Sequence, residues 1–546
     1  MAWVAVAMVP VAALGVFFFY PVGALVARGL VGPDGLDLGA LADVAARPRF
    51  ARILWFTLWQ AAVSAGLAVL LGVPGAYVLY RCDFPGKFVV RALVTVPFVL
   101  PTVVVGLAFR TLFATNGPLG SWGWDGSLAA ILAAHVFLNY AVVVRTVGST
   151  WSYLDPRVEQ AARSLGAGPV RAFVTVTLPA LGPAIAAAFT MVFLFCATSF
   201  GIMLIMGGGR FSTLETEIYR QTVDILDLRT AAVLSIAQIL LVTAVLIVSG
   251  ALRRRTETTL RLRRPDRGGH RPRRGDLPAV LITAGVVAAM AVPIAVMVLR
   301  SLQTPSGWGL DNYRALGELG SDNVFLVPAS TALWNSVRSA AVAAALALVV
   351  GMLLAAVLGR RPKHRAGAAA VDGLDAMIML PLGVSAVTVG FGFLIALDSP
   401  PLDLRTSPML VPIAQAMIAL PIVVRMVLPV LRAADDRLRQ AAAVLGAGPV
   451  RVWASVDLPI MARALTGAGA FAFAIALGEF GATSFLASPQ RITLPLVIAR
   501  LAGRPGAGSA GAALAAATVL GGLCLAAVLI VDLSARRRDS VMAGAF

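Results

Sequence analysis

One carboxylate stands out for its position. Glu479 lies inside the apolar run ALGEFGATSF (476–485), where an ionisable group is costly and is usually paired or turned toward a cavity. A carboxylate beside such a cavity suits a cationic solute. A carboxylate hydrogen-bonded between helices, or reaching the membrane face, satisfies the same pattern. At an offset of 280 residues the matching position is Ser199, in the run Ser199-Phe200-Gly201. Other catalytic chemistry finds no support. Cys82, Cys196 and Cys524 lie far apart in sequence with no metal-binding spacing. His135 falls in an apolar run and His270 and His364 in basic segments, so neither a zinc nor a haem site is expected. The glycines at 207–209 lack the Lys of a phosphate-binding loop. The residue types point to a conduit that catalyses nothing.

Glu479 must be positioned by membrane helices. The 546 residues are 59% hydrophobic and 13% charged, with a mean hydropathy of +0.86. That composition cannot coat a soluble domain of this size but suits a chain solvated by lipid. Twelve spans are predicted: 2–28, 52–80, 88–112, 126–147, 183–208, 230–252, 277–299, 332–359, 371–397, 407–430, 463–487 and 508–532. Each suffices to cross roughly 30 Å of hydrocarbon at about 1.5 Å per residue. Pro97, Pro101, Pro381 and Gly383 predict irregular helices inside the third and ninth spans. The first span reads as a retained helix rather than a cleaved signal.

The formal charge of +18 gathers in short segments between spans, which argues against nucleic-acid binding. Placing both termini in the cytoplasm puts thirty of the 45 Lys and Arg on that side, as positive-inside topology requires. Asp34, Asp37, Asp43, Glu215, Glu217, Asp224 and Asp227 then lie outside. The segment 253–276 is rich in Arg, contains Pro265, Gly268, Gly269 and Pro272, and reads as a solvated linker against anionic headgroups. It divides the chain into six-helix halves at 1–252 and 277–546. Tyr219, Trp308, Tyr313, Trp334 and Asn335 sit near outer span ends, as interfacial anchors or as stacking surfaces.

The halves carry a repeat. DPRVEQAARSLGAGPVRAFVTVTLP (155–179) and DDRLRQAAAVLGAGPVRVWASVDLP (435–459) are identical at fifteen of 25 positions, including Leu165–Arg171 against Leu445–Arg451. Both copies follow an even number of spans, so the repeat is parallel. Gln160, Ala161, Ala162, Leu165 and Gly166 begin a short helix with a small-residue face, which the Gly-Ala-Gly-Pro run then turns. Such a face admits close approach by another surface. Two equivalent elements on one side predict a partner with two equivalent sites, most simply a homodimer.

These residues resemble the cytoplasmic loop of bacterial ABC importer permeases. In that family Glu-Ala-Ala, a later Gly and a Leu-Pro pair mark the helix that couples to an ATP-hydrolysing subunit. Gln160-Ala161-Ala162, Gly166 and Leu178-Pro179 match the pattern, as do Gln440-Ala441-Ala442, Gly446 and Leu458-Pro459. Gln replaces the usual Glu in both copies, so any bond this side chain makes to a partner must be neutral. The resemblance implies an all-α permease of the type I importer class, built from about twelve transmembrane helices as two parallel six-helix repeats. It implies a multi-pass protein of the bacterial inner membrane. Two copies of a cytoplasmic ABC ATPase and an extracellular or periplasmic solute-binding protein would be its partners. No cofactor would be bound by this chain; ATP and Mg belong to the partner ATPase. GGGRFSTLETEIYR (207–220) resembles fused thiamine permeases, and GEFGATSFLASPQRITLPLVIARL (478–501) resembles both thiamine and ferric iron permeases. Thiamine or a thiamine phosphate is the expected solute, and ferric iron is the alternative. A secondary transporter or a non-transporting membrane scaffold also fits twelve spans in parallel repeats.

Overall fold

A computed structural model describes residues 2–32, 35–37, 39–256, 270–304, 306–318, 327–359, 365–398, 402–504 and 506–543. Much of the linker, with His364 and Asp34, lies outside the described residues. In chain order the first elements are α1 (Ala7–Leu30), α2 (Pro48–Arg81), α3 (Lys87–Val99), α4 (Thr102–Phe113), α5 (Leu128–Tyr153) and α6 (Pro156–Ser164). There follow α7 (Pro169–Ala197), α8 (Gly201–Met206), α9 (Leu214–Tyr219), α10 (Leu228–Ala251) and α11 (Arg274–Ser301). The second set is α12 (Ala329–Leu358), α13 (Arg365–Gly383), α14 (Ala386–Ala396), α15 (Leu410–Arg432), α16 (Asp436–Val444) and α17 (Pro449–Gly478). The chain ends with α18 (Thr483–Leu486), α19 (Leu494–Ala502) and α20 (Gly508–Leu529). All long elements are helical, because backbone polar groups in hydrocarbon must be satisfied within the segment.

Among the described residues ten helices are long and apolar enough to cross a membrane, eleven if α3 and α4 count as one broken span. The twelve expected spans are broken at four places, two of which, in the third and ninth, are those where Pro and Gly predicted irregular helices. The third span bends by 104° between α3 and α4. Leu100 there is extended, with φ −69° and ψ 137°, and Pro101 has no N–H to continue the ladder. The ninth expected span, 371–397, is replaced by α13 and the eleven-residue α14. The fifth and eleventh, expected to run to 208 and 487, end at Ala197 and Gly478. Each resumes as a separate short helix, α8 or α18.

Two compact units interleave the chain. One comprises Met1–Leu41, Ile218–Ile236 and Ser301–Phe546; the other comprises Ala42–Glu217 and Ala237–Arg300. In the first, Leu14 and Phe18 of the opening helical segment share a core with Leu354, Val389, Phe393, Leu420 and Val424. In the second, Ala61, Ala65, Ala68 and Ala76 of α2 pack against Val142, Val143, Val147, Leu181 and Ala188. Small residues along α2 bring backbones close, which is how membrane helices gain dispersion contacts where lipid supplies no hydrophobic drive. One close approach recurs in both units. A Cβ on Gly72 would come within 2.6 Å of Val143 Cγ1, and one on Gly351 within 2.7 Å of Val423 Cγ1. A two-residue antiparallel ladder also follows the opening span of each half, at Val31–Gly32 with Gly35–Leu36 and at Gln303–Thr304 with Gly307–Trp308.

Candidate functional site

The repeated segments fold alike. Asp155 caps α6 by accepting from Arg157 N at 3.0 Å, and Asp435 caps α16 by accepting from Arg437 N at 2.9 Å. Each cap satisfies one of the free N–H groups at a helix start. Both helices close through the same three backbone bonds. Leu165, Gly166 and Ala167 donate to Ala161, Arg163 and Ala162, and Leu445, Gly446 and Ala447 donate to Ala441, Ala443 and Ala442. The turn needs glycine, with φ at +92° for Gly166 and +85° for Gly446. Leu165 is 90% exposed and Leu445 87%, with Val170 and Val450 exposed beside them. Gln160, Ala161, Pro179, Gln440, Ala441 and Pro459 are exposed, and Ala162 and Ala442 half-buried. Leu178 is exposed, whereas Leu458 is half-buried. Leu165 with Val170, and Leu445 with Val450, are thus a matched pair of exposed apolar side chains in the two copies.

One side-chain tie secures each segment to the base of the following span, with opposite polarity. Thr177 Oγ1 donates to Glu159 Oε2 at 2.8 Å. At the positions 280 residues on, Arg439 Nε donates to Asp457 Oδ1 at 2.7 Å. Asp457 is buried. Burial works against the charge of Arg439, yet its bonds to Asp457 and Asp436 prevail and hold it above the ordinary arginine range. The repeat sets Glu159 and Arg439 at equivalent positions, and only the fold shows what each holds.

The second recurring feature is the break after α7 and α17. Carbonyls at a helix end are short of intrahelical donors; Cys196 O and Ala476 O receive 3.3 Å bonds from Ser199 N and Glu479 N, and inside hydrocarbon a second donor secures each. Gln60 Nε2 of α2 donates to Cys196 O at 2.9 Å, and Gln415 Nε2 of α15 donates to Ala476 O at 2.9 Å. Hydroxyls support the network: Ser64 Oγ lies 3.2 Å from His135 Nδ1, and Ser339 Oγ donates to Gln415 Oε1 at 2.7 Å. Beyond each break, Thr57 Oγ1 accepts from Leu214 N at 3.1 Å and Ser336 Oγ from Leu494 N at 2.7 Å, fixing the starts of α9 and α19. Sequence reasoning missed these residues. Their signal was an amide or hydroxyl inside an apolar helix.

Ser199 and Glu479 occupy equivalent break positions. Ser199 is buried, its hydroxyl without a partner among the described residues. The Glu479 carboxylate accepts from Ala482 N at 2.7 Å and Thr483 N at 3.0 Å, so it caps α18. Of the aromatic candidates, Tyr219 packs edge-on against Phe485 at 5.5 Å between centroids, and Tyr313 Oη meets Ser301 Oγ at 2.6 Å. Trp308 and Trp334 are exposed, and Trp55 matches Trp334 in position and exposure. Asn335 Nδ2 donates to Ile492 O at 3.3 Å.

The family described as binding-protein-dependent transport system inner membrane component matches residues 68–258. The thiamine transport system permease protein ThiP of Brucella abortus (strain 2308) is 28% identical over 536 residues, covering 94% of this chain and 93% of its own. The sulfate transport system permease protein CysT of Escherichia coli (strain K12) is 31% identical over 216 residues, covering 38% of this chain and 76% of its own. A crystal structure of a bacterial ABC transporter involved in import of the acidic polysaccharide alginate is similar at 15% identity. It covers 47% of this chain and 96% of its own, with a TM-score of 0.41. A multi-pass helical protein with internally duplicated packing, matched along nearly its whole length by transport permeases, belongs to the family of binding-protein-dependent transport system inner membrane components, the permease subunits of ABC importers, and is not itself an enzyme.

Proposed function

We propose that this chain is the transmembrane permease subunit of an ATP-driven importer for thiamine or a thiamine phosphate. It would be built as two parallel six-helix repeats joined by the linker 253–276, with both termini in the cytoplasm. Residues 160–179 and 440–459 dock one ATPase copy each, and a binding protein outside the membrane delivers the solute. One observation carries the docking assignment: two segments 280 residues apart share cap, turn and exposed apolar tips. Gln160, Ala161, Ala162 and Gly166, and their counterparts Gln440, Ala441, Ala442 and Gly446, form the docking faces. Leu178-Pro179 and Leu458-Pro459 lead back into the membrane. The thiamine assignment is supported by similarity to ThiP over 94% of the chain. Glu479 and Ser199, each at the break of its own unit, are the candidate solute-pathway residues, with Glu479 acting chiefly through the turn it caps.

Substitution at Gly166 or Gly446 would perturb the turn itself, because φ is positive there. The exposed leucines give a cleaner test. Burying one Leu against a partner is worth about 1.5–3 kcal/mol, so Leu165→Glu or Leu445→Glu should weaken ATPase capture by at least about tenfold. The double variant should insert normally and retain no ATPase. Full capture of two ATPase subunits by a correctly inserted double variant would sink the docking assignment. Uptake of labelled thiamine, ferric iron and sulfate, measured side by side with the cognate binding protein, decides the solute. Uptake of iron or sulfate without thiamine overturns the thiamine reading and leaves the docking test standing.

A further inference from the structure

We infer that Cys82, His270 and Asp276 form a binding site for a divalent transition-metal ion of the zinc class. The three residues converge where α2 ends and the chain re-enters α11, inside one compact unit. Cys82 follows Arg81 in extended conformation and is wholly buried. A single parallel bridge sets His270 beside it: His270 N donates to Arg81 O at 3.1 Å, and Asp83 N donates to His270 O at 2.9 Å. A tight turn, in which Arg273 N donates to Asp276 Oδ2 at 2.8 Å, swings Asp276 back toward the imidazole. Cys82 Sγ, a His270 ring nitrogen and an Asp276 oxygen then lie within 4.8 Å of one another.

The donor set selects the ion. A thiolate, an imidazole and a carboxylate suit zinc, whereas calcium and magnesium take oxygen ligands. His270 Nε2 and Asp276 Oδ2 are 3.0 Å apart. The edge of a tetrahedron with bonds of about 2.0 Å is about 3.3 Å, so these two ligands need move only a few tenths of an ångström. Tyr77, on α2, donates its hydroxyl to Asp276 Oδ1 at 2.7 Å and comes within 3.4 Å of His270 Nε2. It orients the carboxylate from the second shell, leaving the fourth position for water. The cluster sets a phenol, a thiol and a carboxylate around one imidazole, an arrangement of acids that a dication compensates. Loading releases the Cys82 thiol proton to solvent, and His270, whose Nε2–H faces Asp276 Oδ2 in the metal-free form, gives up that proton and carries its remaining N–H on Nδ1, so that Nε2 binds as neutral imidazole. The ion fastens the end of α2 to the start of α11.

Cobalt(II) added to the full-length, chelator-stripped protein tests this. One ion per chain should bind, with sulfur-to-cobalt charge transfer in the near ultraviolet and intense tetrahedral bands in the visible, both bleached by zinc. Cys82→Ser and His270→Ala should each weaken binding by about 100-fold or more and Tyr77→Phe by about tenfold, while Cys196→Ser and Cys524→Ser leave it unchanged. X-ray absorption of the zinc form in a background without Cys196 and Cys524 needs no change at the site. It should show one sulfur at about 2.3 Å with nitrogen and oxygen at about 2.0 Å. Absence of a thiolate band, its persistence in Cys82→Ser, or a shell of nitrogen and oxygen alone overturns the proposal.

Discussion

The opposite polarity of the two ties predicts unequal damage when each is cut. Arg439→Met removes the only side-chain donor bonded to Asp457 among the described residues and leaves that carboxylate, 3% exposed, in the interior. Removing one partner of a buried ion pair costs about 3–5 kcal/mol. The Arg439 side chain is 22% exposed, so water reaches the pair and about 2–3 kcal/mol is the better expectation. Thr177→Val removes a single hydroxyl bond and leaves Glu159 half-buried, a loss of about 1 kcal/mol. Hydrogen exchange at the turn amides reads this difference as local opening. Leu445, Gly446 and Ala447 should exchange roughly 30- to 150-fold faster in Arg439→Met, and Leu165, Gly166 and Ala167 about fivefold faster in Thr177→Val. Arg439→Glu combined with Asp457→Thr rebuilds the first tie in the second segment and should restore slow exchange. Arg439→Glu alone sets like charges together and should be the fastest of all. Equal effects in the two segments, or no recovery in the double variant, would refute the claim that these ties hold the segments.

Three further outcomes follow from the same geometry. Glu479→Gln places an amide donor against one of the N–H groups of Ala482 and Thr483, a cost of about 1–3 kcal/mol at the break; solute uptake should fall while ATPase capture persists, and unchanged uptake would remove Glu479 from the pathway. Gln60→Leu and Gln415→Leu each strip a break carbonyl of its amide partner, so both should lower resistance to unfolding in detergent by about 1 kcal/mol, and a clear difference between them would contradict their equivalence. In a background lacking the native cysteines, Asp43→Cys should react with an impermeant thiol reagent on intact cells and Arg271→Cys only after lysis; the reverse result would invert the proposed topology.

Legibility followed distance along the chain. The coupling-type turns were readable because cap, small-residue face, glycine and proline lie within 25 consecutive residues, where spacing alone dictates conformation. Most spans were readable because hydropathy is a sum over a window. That sum hides a break: 88–112 is apolar but for Arg91 and Arg110 and a few hydroxyls, yet the chain turns at Leu100, and Pro97 and Pro101 said only that something irregular occurs. The end at Ala197 was illegible for a related reason, since the residues beyond it remain largely apolar, and at Gly478 the charge of Glu479 marked the place without saying that the helix stops there. Long-range convergence left no trace at all. Cys82 and His270 carry no metal spacing, because the bridge that joins them spans the first half from its second helix to the linker. Periodicity also cannot say which helices share a core, so the pairing of Leu14 and Phe18 with Leu354 and Phe393 emerged only from packing.

The repeat keeps some features residue by residue and others only as bonds, and the contrast separates two kinds of constraint. At the breaks a Gln amide meets a helix-end carbonyl in both halves, yet one Gln stands on α2 and the other on α15. At the segment bases an acid faces a donor both times, yet acid and donor have changed places. A buried bond asks only that a donor lie opposite an acceptor, and either side can supply it. The exposed turn has no such freedom within the fold: Leu165 and Leu445 protrude, and their contribution to the chain's own core is slight. Seven consecutive residues are nonetheless identical there, Leu165–Arg171 against Leu445–Arg451. Only the positive φ of one glycine is demanded locally. Identity of the remaining tips, in a chain whose buried ties have drifted, is what two copies of one external surface would impose.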